Sequence, residues 1–161
     1  MLRLTKLTDY GILLLTHIAA DDSRLFASND LSKATHIPSP TVSKVLQALL
    51  GAGLLESIRG AKGGYRLSRP AAEVSVREVI DCFEGHIALT ECNLDDGECE
   101  QLPFCSTQNN WKRINGAVRD ALDSISLQDM TEKDFMPVFS MKKAVSISSV
   151  DPSSMANSEA G

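Results

Sequence analysis

The 161-residue sequence lacks the features that mark secreted, membrane-spanning or catalytic proteins. The apolar run near its start is short, contains Thr16 and His17, and has no small-residue cleavage site, so we expect neither a signal peptide nor a membrane span. We find no phosphate-binding loop and no nucleophile motif, and the three histidines lie in unrelated settings. These absences predict a cytoplasmic protein that is not an enzyme.

Cysteine is scarce, with four residues in the chain, yet three of them fall in one short stretch. The segment CNLDDGECEQLPFC, residues 92–105, contains Cys92, Cys99 and Cys105 among acidic and polar residues. In a reducing compartment, clustered cysteines are more typical of metal binding or redox chemistry than of disulfides. We call residues 92–105 the cysteine segment.

Basic residues are outnumbered by acidic ones, and the net charge is -5, but the charge is unevenly distributed. Residues 1–70 carry nine Lys and Arg against five Asp and Glu, whereas the remaining residues carry seven against sixteen. This asymmetry indicates a basic front module suited to nucleic acid and an acidic rear module. The alternative is a solvated surface on which charges cluster at random.

Hydrophobic periodicity predicts three helices in the first fifty residues. The first covers residues 8–20, with Thr8 or Asp9 as its N-cap. The second is LSKATH, capped by residues 28–30 and broken before Pro38. The third begins with Ser39 as N-cap, and one face of it is expected to be buried: Val42, Val45, Leu46, Leu49 and Leu50.

The stretch LLESIRGAKGGYRLS predicts two short strands, residues 54–58 and 65–68, around a glycine-rich turn with Arg59 and Lys62. Three helices followed by a basic hairpin make a winged helix-turn-helix, so the predicted fold is mainly α with a two-stranded wing. Such a module reads DNA with the exposed face of its third helix and with its wing. The candidate DNA contacts are Ser39, Thr41, Ser43, Lys44, Gln47, Arg59 and Lys62.

The rear part predicts a helix in SVREVIDCFEG, then the cysteine segment, then a long dimerisation helix. The long helix carries one apolar seam, which a second copy of the chain could cover, so we expect a homodimer: Trp111, Ile114, Val118, Leu122 and Ile125. The expected organisation is a DNA-binding domain at 1–70, a cysteine and dimerisation region at 71–135, and a disordered, serine-rich tail at 136–161.

The spacing of the three cysteines is wider than that of compact zinc sites, although zinc remains an alternative. Three thiolates on an irregular loop suit an iron-sulfur cluster. The alternative of three reduced cysteines without a ligand is less favourable, because the stretch is too polar to bury them. A cluster usually takes four protein ligands and this segment supplies three, so the candidates for the fourth are a carboxylate, a histidine or Cys82. Cys82 lies in a helical pattern near the apolar face, where packing is the expected role.

Four motifs resemble the winged-helix iron-sulfur transcription regulators that include the IscR and NsrR types. They are LTKLTDYG at 4–11, SIRGAKGGYRLSRP at 57–70, VIDCFEG at 79–85, and the three cysteines followed by NNWKRIN at 109–115. The resemblance covers about residues 1–130. The motifs are most similar to those of the branch that regulates SUF-type cluster assembly. It implies a homodimer that binds promoter DNA and controls cluster-assembly genes.

The resemblance also implies that Cys92, Cys99 and Cys105 ligate a cluster, with 2Fe-2S favoured over 4Fe-4S. IscR-type members carry a ligand histidine three residues after the third cysteine, where this chain has Gln108. NsrR-type members use an aspartate of the first helix from the partner subunit, and Asp9 occupies the matching place. The expected function is a repressor that senses iron-sulfur status. The alternatives are a repressor responding to nitric oxide or redox state, and a cluster carrier.

Overall fold

The computed structural model describes residues 3–60, 62–93, 99–100, 102–132 and 135–136. Within these residues, three helices precede a two-stranded antiparallel wing and three helices follow it, which confirms the predicted fold class. Three short 3-10 turns connect the later elements: Ala71–Glu73, Glu91–Asn93 and Leu102–Phe104. The main elements are α1 Lys6–Ala19, α2 Ser28–Thr35, α3 Ser39–Gly51, β1 Leu55–Ile58, β2 Gly64–Leu67, α4 Val76–Glu84, α5 Gln108–Asp123 and α6 Leu127–Thr131.

The helices begin earlier than their sequence signals indicated. Thr5 caps α1 by accepting a hydrogen bond from the Thr8 amide, so the predicted Thr8 and Asp9 caps are wrong. Thr8 is fully buried instead, and Asp9 lies exposed in the first turn. The residues predicted to cap the second helix form its first turn, and Pro38 rather than Ser39 is the N-cap of α3.

The core lies between α1, α2 and α3 and extends under the wing. The predicted stripe of α3 is buried, with Leu50 only partly so. It packs against Leu14, Leu15 and Ile18 of α1 and Leu31 of α2, all of which are inaccessible to solvent. This shared apolar surface fixes the angle between α2 and α3 and leaves the opposite face of α3 in solvent.

The wing pairs Leu55 with Leu67 and Ile58 with Gly64 in antiparallel register. A side chain at Gly63 would place its Cβ 2.1 Å from the Ile58 carbonyl oxygen, so the turn requires glycine there. Phe26 extends the sheet by exchanging two backbone hydrogen bonds with Tyr65, at 3.0 and 2.9 Å. The wing is thereby attached to the connection between α1 and α2.

The rear part of the chain packs into the same core as the front part. Val79 of α4 and Leu127 of α6 are fully buried beside the first three helices. The amide of Leu127 donates to the Val74 carbonyl at 2.8 Å, which joins α6 to the segment before α4. The buried surfaces of α4 and α6 therefore contribute to the same hydrophobic cluster as the helix-turn-helix.

The apolar seam of the long helix is divided between two environments. Helix α5 ends at Asp123, so the expectation that Ile125 continues the same helix is wrong. Leu122 and Ile125 pack against Val76, Ile80 and Ile87 of the same chain. Trp111 and Ile114, nearer the start of α5, remain 38% and 46% exposed.

The predicted tail lies outside the described residues apart from Met136. Among the helices formed by the described residues, none is long and apolar enough to cross a lipid bilayer.

The Phe83 ring of α4 occupies the space that a side chain at Gly11 of α1 would need. A Cβ there would lie 2.4 Å from Cε2 of Phe83, and we expect Gly11→Ala to lower the free energy of unfolding by about 1 kcal/mol or more through overpacking. In α5, Gly116 has open space around its Cβ position, so Gly116→Ala should be neutral or stabilising by up to about 1 kcal/mol. Urea unfolding measures both, and equal changes would contradict this packing.

Candidate nucleic-acid interface and cysteine segment

The solvent face of α3 carries the predicted readers of DNA. Ser43, Lys44 and Gln47 are exposed opposite the buried stripe, and Thr41 is partly buried at the helix start. The first turn of α3 contains no acidic residue, so nothing on that turn repels a phosphate. The helix thus presents hydroxyl, ammonium and carboxamide groups along one exposed side, which are the groups that contact base edges and phosphates.

The beginning of α3 is more constrained than the sequence indicated. Ser39 donates its hydroxyl hydrogen to Ser32 at 3.1 Å, and Ser32 donates to the Ile37 carbonyl at 2.6 Å. The amides of Thr41 and Val42 both donate to the Pro38 carbonyl. Ser39 therefore holds the turn between α2 and α3, and these two amides are not free to bind a phosphate.

The wing presents two exposed cations, Arg59 and Lys62, on either side of its tip. Arg66, further down the same hairpin, is instead bound to Glu56 across the strands at 2.5 Å. Within the part of the chain that the structure describes, Arg59 forms no ion pair. Its charge is therefore available to an external anion.

A cation at the base of the wing was not predicted from the sequence. The Arg24 guanidinium lies 4.3 Å from the centre of the Phe26 ring and also pairs with Asp21 at 3.1 Å. Its side chain remains 61% exposed, so it adds positive charge beside the hairpin. Basic and aromatic residues two positions apart were the available signal, because an extended segment places them on one face.

The last turn of α4 contacts the DNA-binding module. The Cys82 thiol donates to the Ala48 carbonyl of α3 at 3.6 Å, and its side chain packs against the core, as the helix pattern indicated. Burial raises the pKa of Cys82 above its ordinary value. Cys82 is therefore suited to packing and remains protonated at neutral pH.

Glu84, two residues further, contacts the start of α1. Its carboxylate accepts hydrogen bonds from the Thr5 amide at 2.8 Å and from the Thr8 hydroxyl. The Thr8 hydroxyl, followed by the Thr5 amide, lowers the pKa of Glu84 below its ordinary value. This contact was not predicted from the sequence, because Glu84 and Thr8 are far apart in the chain and neither belongs to an apolar pattern.

The three cysteines of the segment are free and partly exposed. Cys92 lies in the turn Glu91–Asn93 with its sulfur 3.1 Å from the Thr90 hydroxyl. The sulfur of Cys105 is 3.4 Å from the Thr107 hydroxyl, and this contact lowers the pKa of the Cys105 thiol. The acidic residues Asp95, Asp96 and Glu98 of the segment lie outside the described residues.

The chemistry of these residues fits an iron-sulfur cluster. All three sulfurs are uncommitted to disulfides, none is deeply buried, and thiolates are the ligands that such clusters prefer. Within the described ranges, no three His, Cys, Asp or Glu residues are grouped as a metal site. The donor set is thus present, and binding requires the segment to bring the three sulfurs together.

Cys92 opens onto a cleft of about 640 Å³ between α4, α5 and the cysteine segment. On the α4 side, Arg77 bridges Asp81 at 2.7 Å and Asp123 at 3.0 Å, and these contacts raise its pKa, the Asp123 hydrogen bond most. Asn115 also lines the cleft, and it is a buried polar residue that was not predicted from the sequence. The available signal was its spacing from Trp111, Val118 and Leu122, which places an asparagine in an apolar stripe.

A winged helix-turn-helix with exposed cations on its wing and with a recognition helix that is exposed on one face and carries no acidic residue defines a DNA-binding transcriptional regulator. Residues 4–133 match the family model Rrf2, described as an iron-dependent transcriptional regulator. The chain belongs to the Rrf2 family.

Named relatives agree with this class. The HTH-type transcriptional regulator NsrR of Bacillus licheniformis is 31% identical over 131 residues, covering 80% of this chain and 92% of that protein. Among solved structures, CymR, the global cysteine regulator of B. subtilis, is similar with a TM-score of 0.65 at 27% identity, covering 81% of this chain and 97% of that one. T. potens IscR has a TM-score of 0.61 at 25% identity, covering 80% and 85%.

These similarities confirm the resemblance to IscR-type and NsrR-type winged-helix regulators. They also confirm the prediction that the chain is not an enzyme, because its family and its relatives are regulators of transcription. As a member of this family, the chain binds DNA.

Proposed function

We propose that the chain is a homodimeric repressor of iron-sulfur cluster assembly genes that senses iron-sulfur status through Cys92, Cys99 and Cys105. The observation that carries the proposal is the position of these free, partly exposed thiols. They lie between α4, whose last turn contacts α1 and α3, and α5, whose first half exposes an apolar surface. A ligand held there lies between the DNA-binding module and the surface assigned to dimerisation.

The three cysteines would hold the cluster, which we propose to be 2Fe-2S, and Asp9 of the partner subunit would supply the fourth ligand. Asp9 is exposed on the first turn of α1 and is therefore free to reach another chain. Gln108, three residues after Cys105, is the first residue of α5, and its neutral carboxamide is a weak iron ligand. A bound cluster supplies a labile, redox-active iron centre.

Regulation follows from linkage between the cysteine segment and the DNA-binding module. If holding the three cysteines together favours one arrangement of the dimer, the affinity for DNA changes by the difference in stability between the arrangements. The last turn of α4 transmits a change in the cysteine segment to the DNA-binding module, since Cys82 contacts α3 and Glu84 contacts α1. A change at the cysteine segment then alters the spacing of the two recognition helices.

On DNA, we assign major-groove contacts to Thr41, Ser43, Lys44 and Gln47, and phosphate or minor-groove contacts to Arg59 and Lys62. Ser39 would contact a phosphate at the start of α3, and it also holds the turn between α2 and α3 through Ser32. The exposure of this set on one helix face and one hairpin supports the assignment.

Replacing Arg59 by alanine should weaken promoter binding and reduce the slope of log affinity against log salt by about 1, because one phosphate contact is lost. The matched control is Arg66→Ala, since Arg66 lies on the same hairpin but is bound to Glu56. Fluorescence anisotropy at several salt concentrations measures both variants. A wild-type slope for Arg59→Ala would contradict the wing contact.

Dimerisation is proposed to bury the exposed half of the α5 seam. We expect Ile114→Asp to weaken the dimer by about tenfold or more, since it places a charge in an apolar interface, while leaving the chain folded. Asn109→Asp changes an exposed residue of the same helix and should not alter assembly. Sedimentation equilibrium with far-UV circular dichroism measures both, and a monomeric wild type would overturn this part of the proposal.

The cluster itself is tested by purification without oxygen, followed by visible absorption and by iron and sulfide analysis. We expect matched iron and sulfide in the wild type and neither in the Cys92→Ala, Cys99→Ala, Cys105→Ala triple variant. The control Cys82→Ala should keep the cluster, because Cys82 packs against the core outside the segment. A colourless wild type, or a triple variant that retains iron and sulfide, would remove the sensing function.

A further inference from the structure

Asn115 is the residue of α5 whose burial is least expected from its chemistry. Its side chain is 5% exposed, and within the described part of the chain it is the one buried residue of this helix. A carboxamide removed from water costs free energy unless its donor and acceptor groups find partners. Its position therefore requires specific contacts.

Both ends of the Asn115 carboxamide bind the backbone that leads to the cysteine segment. Its oxygen Oδ1 accepts a hydrogen bond from the Leu89 amide at 3.0 Å, and its nitrogen Nδ2 donates to the Ile87 carbonyl at 3.2 Å. This orientation of the carboxamide is the one that satisfies both backbone groups. One side chain of α5 thus fixes the path of residues 87–89.

The fixed backbone continues directly into the turn that presents Cys92. Asn93 donates from its amide to the Thr90 carbonyl at 2.9 Å and from its side chain to the Thr90 hydroxyl at 2.7 Å. That hydroxyl is 3.1 Å from the sulfur of Cys92. The position of this sulfur is therefore set by a short chain of contacts that begins at Asn115.

We infer that Asn115 is a positioning residue for Cys92, and that it couples the location of this thiol to the dimerisation helix. The inference deepens the proposed function and rests on it for the role of Cys92 as a ligand. Cys92 and Asn115 line the same cleft, so a change in the position of α5 is transmitted to Cys92 through two hydrogen bonds.

Position 115 requires a side chain that both accepts and donates a hydrogen bond, which asparagine does. An aspartate could still accept from the Leu89 amide but would set a carboxylate against the Ile87 carbonyl, where no proton is available. Alanine would leave both backbone groups without this partner. These two substitutions therefore remove one contact or both.

The test compares Asn115→Ala and Asn115→Asp with the control Asn109→Ala, which changes an exposed asparagine of the same helix. The first readout is the rate at which iodoacetamide alkylates Cys92 in the metal-free protein, followed by mass spectrometry of the peptides, with Cys105 as internal reference. The second is the rate at which a chelator removes iron from the loaded protein. Far-UV circular dichroism and thermal unfolding monitor the fold.

We expect alkylation of Cys92 relative to Cys105 to rise about tenfold in Asn115→Ala and by a smaller factor in Asn115→Asp, because two contacts or one are lost. Iron loss should accelerate in the same order, and Asn109→Ala should match the wild type. A purely structural role would lower the unfolding temperature without changing the ratio of Cys92 to Cys105 alkylation, and that result would overturn the inference.

Two further observations separate the possible failures. If the wild type binds no cluster, the proposed function fails, while the alkylation ratio still decides the role of Asn115. If both variants unfold, hydrogen exchange of the wild type decides it, since the Leu89 amide should exchange slowly while bonded to a buried carboxamide. Exchange of this amide at the rate of a free amide would contradict the inference.

Discussion

The packing of α4 against α1 is the contact on which the rest of the structure depends. Phe83 fills the space left by Gly11, and Glu84 binds the first turn of α1 through Thr5 and Thr8. This junction holds the rear part of the chain on the helix-turn-helix, and α6 completes the same core through Leu127. Because the junction is closely packed, a displacement of α4 is transmitted to α1 rather than absorbed.

The cysteine segment occupies the connection between two helices with different partners. Helix α4 packs on the DNA-binding module, whereas α5 exposes Trp111 and Ile114. Through Asn115, α5 also binds the backbone of residues 87 and 89, which leads into the segment. A ligand of the three thiols would therefore act on both helices at once. This placement gives a physical basis for coupling between a bound cluster, the dimer and DNA, in which each equilibrium affects the others reciprocally.

Local patterns in the sequence were sufficient for the elements but not for their contacts. The stripe of α3 and the glycine-rich turn predicted the winged helix-turn-helix, because periodicity and turn chemistry are local properties. The N-cap of α1 is Thr5 rather than Thr8, because the Thr8 hydroxyl is buried and donates a hydrogen bond to Glu84. The roles of Glu84 and Asn115 depend on partners distant in the chain, and local sequence patterns do not identify those partners. Ile125 lies beyond the end of α5, where its carbonyl accepts a hydrogen bond from the Val76 amide.

The most direct test of the account is the affinity for promoter DNA of the same protein preparation with and without its cluster, measured without oxygen at one fixed salt concentration. Fluorescence anisotropy with a fragment from upstream of cluster-assembly genes gives both dissociation constants. We predict that the two dissociation constants differ by about fivefold or more, the usual scale of coupling between two binding sites. Equal dissociation constants would show that the cysteine segment does not regulate the DNA-binding module.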